Sequence, residues 1–71
     1  MDLKKLALVE KKLLEIREIL KPEDAFQVCD TIIISVGDEL LEEHIKDMLQ
    51  TMGYEEDIIK KICKMTKEIQ T

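Results

Sequence analysis

The feature that most restricts the fold lies near the amino terminus, where Leu6, Val9, Leu13, Ile16 and Leu20 recur at alternating intervals of three and four residues. At about 100° per residue these five fall on one helix face, the stripe by which a helix seats itself in a bundle. Leu3, Ala7 and Leu14 form a second stripe, and Leu8 and Ile19 lie across from it. A small bundle does not need that much apolar surface on one helix. Such a helix is either central to its fold or covered by another chain.

At 71 residues the chain is expected to form a single helical domain over residues 1–71, with a core thin enough that association is a natural source of extra stability. Its apolar residues are chiefly Leu, Ile and Met, with one Phe, one Tyr and no Trp, and two Gly and one Pro leave room for few turns. An all-α class fits these constraints.

Four helices are expected, near 3–20, 23–36, 39–52 and 55–69. Asp2 is positioned to cap the first, which should stop at Leu20 because Lys21 precedes Pro22. Pro22 suits the first position of helix 2, with Glu23 and Asp24 at its positive dipole end. Thr31–Val36 has the composition of a strand, but Phe26, Cys29, Ile33 and Val36 follow helical spacing, with Ala25, Val28 and Ile32 beside them, so a helix is the better fit. The averaged direction turns Phe26, Cys29, Ile32, Ile33 and Val36 inward and leaves Ile34 exposed.

Gly37 then ends helix 2 and Asp38 caps helix 3. Helix 3 is expected to bury Leu41, Ile45, Met48 and Met52 and to stop at Gly53. Helix 4 should bury Ile58, Ile59, Ile62, Met65 and Ile69, with Glu55, Glu56 and Asp57 at its start and Lys60, Lys61, Lys64 and Lys67 towards its end. Glu56/Lys60, Asp57/Lys61 and Lys64/Glu68 are spaced for pairing. Short connections favour antiparallel neighbours, hence a compact up-down four-helix bundle.

Charge falls in blocks: residues 1–21 carry +2, 22–57 carry −10 and 58–71 carry +3. Helix-dipole preferences explain part of this. An alternative function follows from the rest, in which Asp30, Glu39, Glu42, Glu43 and Asp47 form an acidic surface that engages a basic protein or mimics nucleic acid. Direct nucleic-acid binding is not expected, since it requires a basic footprint.

Cys29 and Cys63 stand far apart, without the spacing of a metal or redox pair, and are expected as free thiols in a reducing cytoplasm. No signal-peptide core or membrane-length apolar run is present, so a cytoplasmic protein without a membrane partner is expected. His44 and Asp47 are spaced to place two metal ligands on one helix face, but nothing predicts a third, and His44 is expected half-buried or at an interface. No cofactor or metal is expected, and a metal-dependent enzyme is the weakest alternative. A lone Cys and His do not make a nucleophilic site. Met48, Met52 and Met65 sit at core spacing, as filler more than as an adaptable surface.

The run Ile45-Lys46-Asp47-Met48-Leu49-Gln50-Thr51-Met52-Gly53-Tyr54, with the helix after it, resembles the first helix, Met-Gly-aromatic loop and second helix of a ubiquitin-associated domain. In that family the loop contributes to the ubiquitin-binding surface, which the resemblance would place at Met52, Gly53 and Tyr54. The resemblance covers the family's first two helices and the loop between them, and not its third helix.

The leading expectation is therefore a non-catalytic interaction module, an adaptor, inhibitor or assembly factor. Leu6, Val9, Leu13 and Leu14 are its expected apolar interface, with Ile34 and Leu40 as secondary candidates. The expected partner is a second copy of the chain or a helical protein.

Overall fold

Helix α1 spans Leu3–Ile19, α2 Pro22–Ser35, α3 Leu41–Met52 and α4 Glu56–Gln70 in a computed structural model that describes residues 3–70. The Asp2 cap expected for α1 lies outside the described residues. Thr31–Ser35, strand-like in composition, continues α2 as helix, and the described residues contain no strand.

Each boundary has a local cause. Lys21 is extended (φ −61°, ψ 146°), as a residue before proline must be, and its carbonyl accepts the Ala25 N–H at 2.8 Å to start α2. After α2, Gly37 takes φ +95°, a region in which the Cβ of any other residue would crowd its own backbone. Helix α3 begins two residues later than expected, because Asp38 caps a turn instead of a helix. Its carboxylate accepts the Leu40 N–H at 2.9 Å and its carbonyl accepts the Leu41 N–H at 3.1 Å. Gly53 closes α3 at φ +90°, its N–H donating to the Gln50 carbonyl while the Tyr54 N–H donates to that of Leu49, both at 3.1 Å. This is a Schellman closure.

Helix α1 packs on α2 and α4, and α3 packs on the same two, so the helices follow one another around a ring. Two side chains show the directions. Tyr54, just before α4, donates its hydroxyl to Asp24 at 2.6 Å and accepts the Lys21 N–H at 3.0 Å, both at the start of α2. Gln70, at the end of α4, accepts the Gly37 N–H at 2.8 Å and donates to the Asp38 carbonyl at 2.6 Å, both just past the end of α2. Helices α2 and α4 therefore run parallel, and the short turns reverse the chain between them. The result is the up-down four-helix bundle.

The core contains Val9, Ile16 and Leu20, then Ala25, Val28 and Ile32, then Leu41, Ile45 and Leu49, and finally Ile59, Ile62, Cys63, Met65 and Ile69. Thr66 is buried among them and satisfies its hydroxyl on the Ile62 carbonyl at 2.9 Å. Several residues lie elsewhere than their spacing suggests. Leu49 takes the innermost place expected for Met48 and Met52, which are half-buried against the core, as is Ile58. Val9 is wholly internal and cannot belong to a surface. Phe26 and Ile33, expected inside, are outside: α2 is turned so that Ala25, Val28 and Ile32 face the core. The smaller side chains at 25 and 28 let α2 approach both neighbours closely, whereas an inward Phe26 would hold them apart.

Candidate functional site

Apolar residues of α3 and α4 gather on one side of each helix, while those of α1 and α2 spread further around. The surplus has a definite location. On α1, Leu13 is half-buried towards α2, and the outward flank beyond it carries Leu3, Leu6 and Leu14. On α2, Cys29 is half-buried towards α1, its thiol 3.8 Å from the Leu13 carbonyl oxygen, and the flank beyond it carries Phe26 and Ile33. By helical geometry both flanks belong to the same lateral side of the ring. Leu3, Leu6, Leu14, Phe26 and Ile33 expose between 44 and 83 % of their surface, and Phe26, the sole phenylalanine, 72 %.

Between the two helices lies a groove of about 410 Å³, floored by Leu13, Ala25 and Cys29 and rimmed by Phe26 and Ile33. Arg17 and Asp30 place one charge of each sign on it. Covering the five exposed side chains would remove roughly three side chains' worth of apolar surface from water, on the order of 5–9 kcal/mol at about 1.5–3 kcal/mol each.

Of the interface residues expected from the sequence, Leu6 and Leu14 lie on this face, Leu13 lies in its floor and Val9 is in the core. Ile34 is exposed on the side of α2 turned away from the core, and Leu40 is exposed beside a shallow depression with Ser35, Asp38, Leu41 and His44. Neither joins the α1–α2 face. Phe26 and Ile33 were missed as surface residues. The available signal was the presence of two apolar arcs on α2 where a bundle helix needs one.

Of the acidic residues, Asp30 lies apart at the α1–α2 groove, Glu39 and Glu42 flank Gly37, Lys67 and Gln70, and Glu43 and Asp47, four residues apart, are exposed on α3. Because α3 packs against α4, the groove between them sets Glu42 and Glu56 among Lys46, Lys60, Lys64 and Lys67. Charges separated in the sequence are thereby interleaved in space.

Candidate chemistry is sparse. His44 is exposed, not half-buried. Among the described residues no group of three or more His, Cys, Asp or Glu is arranged to hold a metal ion. The cysteines are free and occupy different grooves, Cys29 between α1 and α2 and Cys63 between α3 and α4. Burial pushes both thiols up, and for Cys63 the Glu42 carboxylate adds to it, so neither is an activated nucleophile at neutral pH. The Met52-Gly53-Tyr54 loop is tied inward, with Met52 and Tyr54 packed against the core and the Tyr54 hydroxyl held by Asp24 and Lys21. No described helix is long and apolar enough to cross a membrane. Compared with protein-family models, curated proteins and solved structures, the chain matches none.

Proposed function

We propose that the protein is a non-catalytic protein–protein interaction module whose working surface is the α1–α2 face. The observation that carries this reading is that Leu3, Leu6, Leu14, Phe26 and Ile33 are all exposed on the outward flanks of α1 and α2, with Phe26 and Ile33 lining the groove between the two helices. Exposed apolar residues scattered singly need no explanation, but five on one lateral side, with an aromatic at the α1–α2 turn end and Arg17 and Asp30 at the groove, have the composition of a binding surface. The stabilisation on offer from covering it is comparable to the lower part of the about 4–15 kcal/mol that association costs. All five residues sit on the backbone of α1 or α2, so that backbone is already ordered before binding.

Amide NMR of the labelled protein tests this in two series, dilution of the protein alone and titration with a leucine-rich amphipathic helical peptide. Shifts confined to α1 and α2 around Leu14, Phe26 and Ile33 are expected in at least one series. Shifts centred on Glu43 and Asp47 of α3, or none in either series, would overturn the reading.

A further inference from the structure

Resting on that reading, we infer that the occupant of the α1–α2 face is a second copy of this chain, packed about a twofold axis that crosses the helices, so that α1 lies antiparallel on the partner's α1 and α2 on the partner's α2. Self-complementarity is what a twofold interface demands, and the residue spacing supplies it on both helices. On α1, Glu10 and Arg17 are exposed, seven residues apart and on the same outward flank, with Leu13 and Leu14 midway. Antiparallel pairing about that midpoint sets Glu10 against the partner's Arg17, and Arg17 against the partner's Glu10. Two opposite charges two turns apart are complementary to themselves only in this antiparallel sense.

On α2, Phe26 and Ile33 are also seven residues apart, with their midpoint between Cys29 and Asp30. The same kind of pairing lays Phe26 on the partner's Ile33, twice. For one axis to serve both helices, the two midpoints must lie at the same height along the bundle. The contact of the Cys29 thiol with the Leu13 carbonyl at 3.8 Å puts these two residues level. Each midpoint is half a residue from that level, in opposite directions, so the midpoints differ by about 1.5 Å, well within the play of side chains. Leu6 then comes over the partner's Lys21–Pro22 corner.

The area agrees. A standard interface takes about 800 Å² from each partner. That is roughly one-sixth of this chain's 5123 Å², and a lateral side of a body with extents of 35 × 24 × 19 Å is of that order. The twofold brings one unfavourable contact, the two Asp30 carboxylates near the axis, which holds the dimer below its full strength.

Sedimentation equilibrium of the full chain, from micromolar to millimolar concentration, tests the arrangement through charge exchange. The wild type is expected to dimerise. Glu10→Arg and Arg17→Glu, both at exposed sites, should each weaken the dimer about tenfold or more by setting like charges together. An equimolar mixture of the two variants should recover it, because the heterodimer restores both opposite-charge pairs. Circular dichroism checks that each variant stays helical. A wild type that is monomeric throughout would overturn the second-copy inference and leave the surface to be judged by its NMR test. A dimer that Phe26→Asp and Leu14→Asp dissociate but the charge variants do not would overturn this register while keeping the face. A dimer indifferent to all four would overturn the inference and the working surface together.

Discussion

The α1–α2 groove and the α3–α4 groove are each made by two helices joined through a short connection, yet their walls are opposite in character. Between α3 and α4 the rims are lysines and glutamates, and the large apolar side chains of both helices point to the core. Between α1 and α2 the rim on the α2 side is Phe26 and Ile33, with Arg17 and Asp30 as the only charges among the described residues lining the groove and Leu6 and Leu14 exposed on the outward flank of α1. One pair of helices carries the apolar surface that the core uses, and the other carries more. An isoleucine therefore has a different job on the two sides: Ile62 holds the monomer together, while Ile33 is available to something outside it.

The sharpest way to break this contrast is to truncate both. Ile62→Ala should cost about 2–5 kcal/mol through lost burial and a residual cavity. In a domain this small that lowers Tm by more than about 10 °C. Ile33→Ala should change stability by less than about 0.5 kcal/mol when melted at concentrations too low for association. Equal losses would erase the distinction between core and face.

A smaller effect tests what keeps α2 turned with Phe26 outward. Tyr54→Phe removes the hydroxyl that joins Asp24 and the Lys21 N–H, and should cost about 1–2 kcal/mol in thermal melts. Burial, and then the bond to Asp24, raise the Tyr54 phenol above its ordinary value. A group whose folded pKa is raised contributes stability that is complete below its ordinary pKa of about 10 and is lost as pH rises through the folded value. Melts of wild type should thus weaken at alkaline pH, and those of Tyr54→Phe less so. Tyr54 is the sole tyrosine, so phenolate absorbance reports its titration directly.

The smallest effect concerns the edge where the two helix pairs meet. Lys12 of α1 and Glu68 of α4 form an ion pair at 2.8 Å. The hydrogen bond from Lys12 holds the Glu68 carboxyl below the usual range, and the same bond raises Lys12. The carboxyl's contribution is present above its ordinary pKa and lost as pH falls through the depressed one; the amine's is lost as pH rises through its raised one. Glu68→Gln should therefore lower Tm slightly near neutral pH and leave little difference from wild type in strong acid, since exposed pairs contribute little. An unchanged difference at low pH would remove the pair from the account.

Much of the architecture was legible because its signals are local. Pro22 after Lys21, Gly37 at φ +95° and Gly53 at φ +90° act through their own backbones, with nothing within 4 Å of a Cβ built at either glycine. The inward residues of α4 were legible because Ile59, Ile62, Met65 and Ile69 make a single stripe with charges opposite. Asp38 was harder, since the same side chain serves a helix cap or a turn with equal chemistry. The candidate face was half legible. Leu6 and Leu14 followed from the surplus on α1, but Val9 lies too far round the helix to stay outside.

Composition and periodicity were sufficient for four helices, their turns and an excess of apolar surface, because each depends on residues within a turn or two of one another. The rotation of α2 about its own axis was not, and with it the place of Phe26 and Ile33. Two apolar arcs about 90° apart on that helix satisfy the same periodicity. The choice between them is made by contacts more than a helix away: Ala25 and Val28 against their neighbours, Tyr54 on Asp24 and Lys21, and Gln70 on Gly37 and Asp38. Those contacts close between residues some thirty positions apart, so the side of the molecule that faces a partner emerges when the ring of helices does.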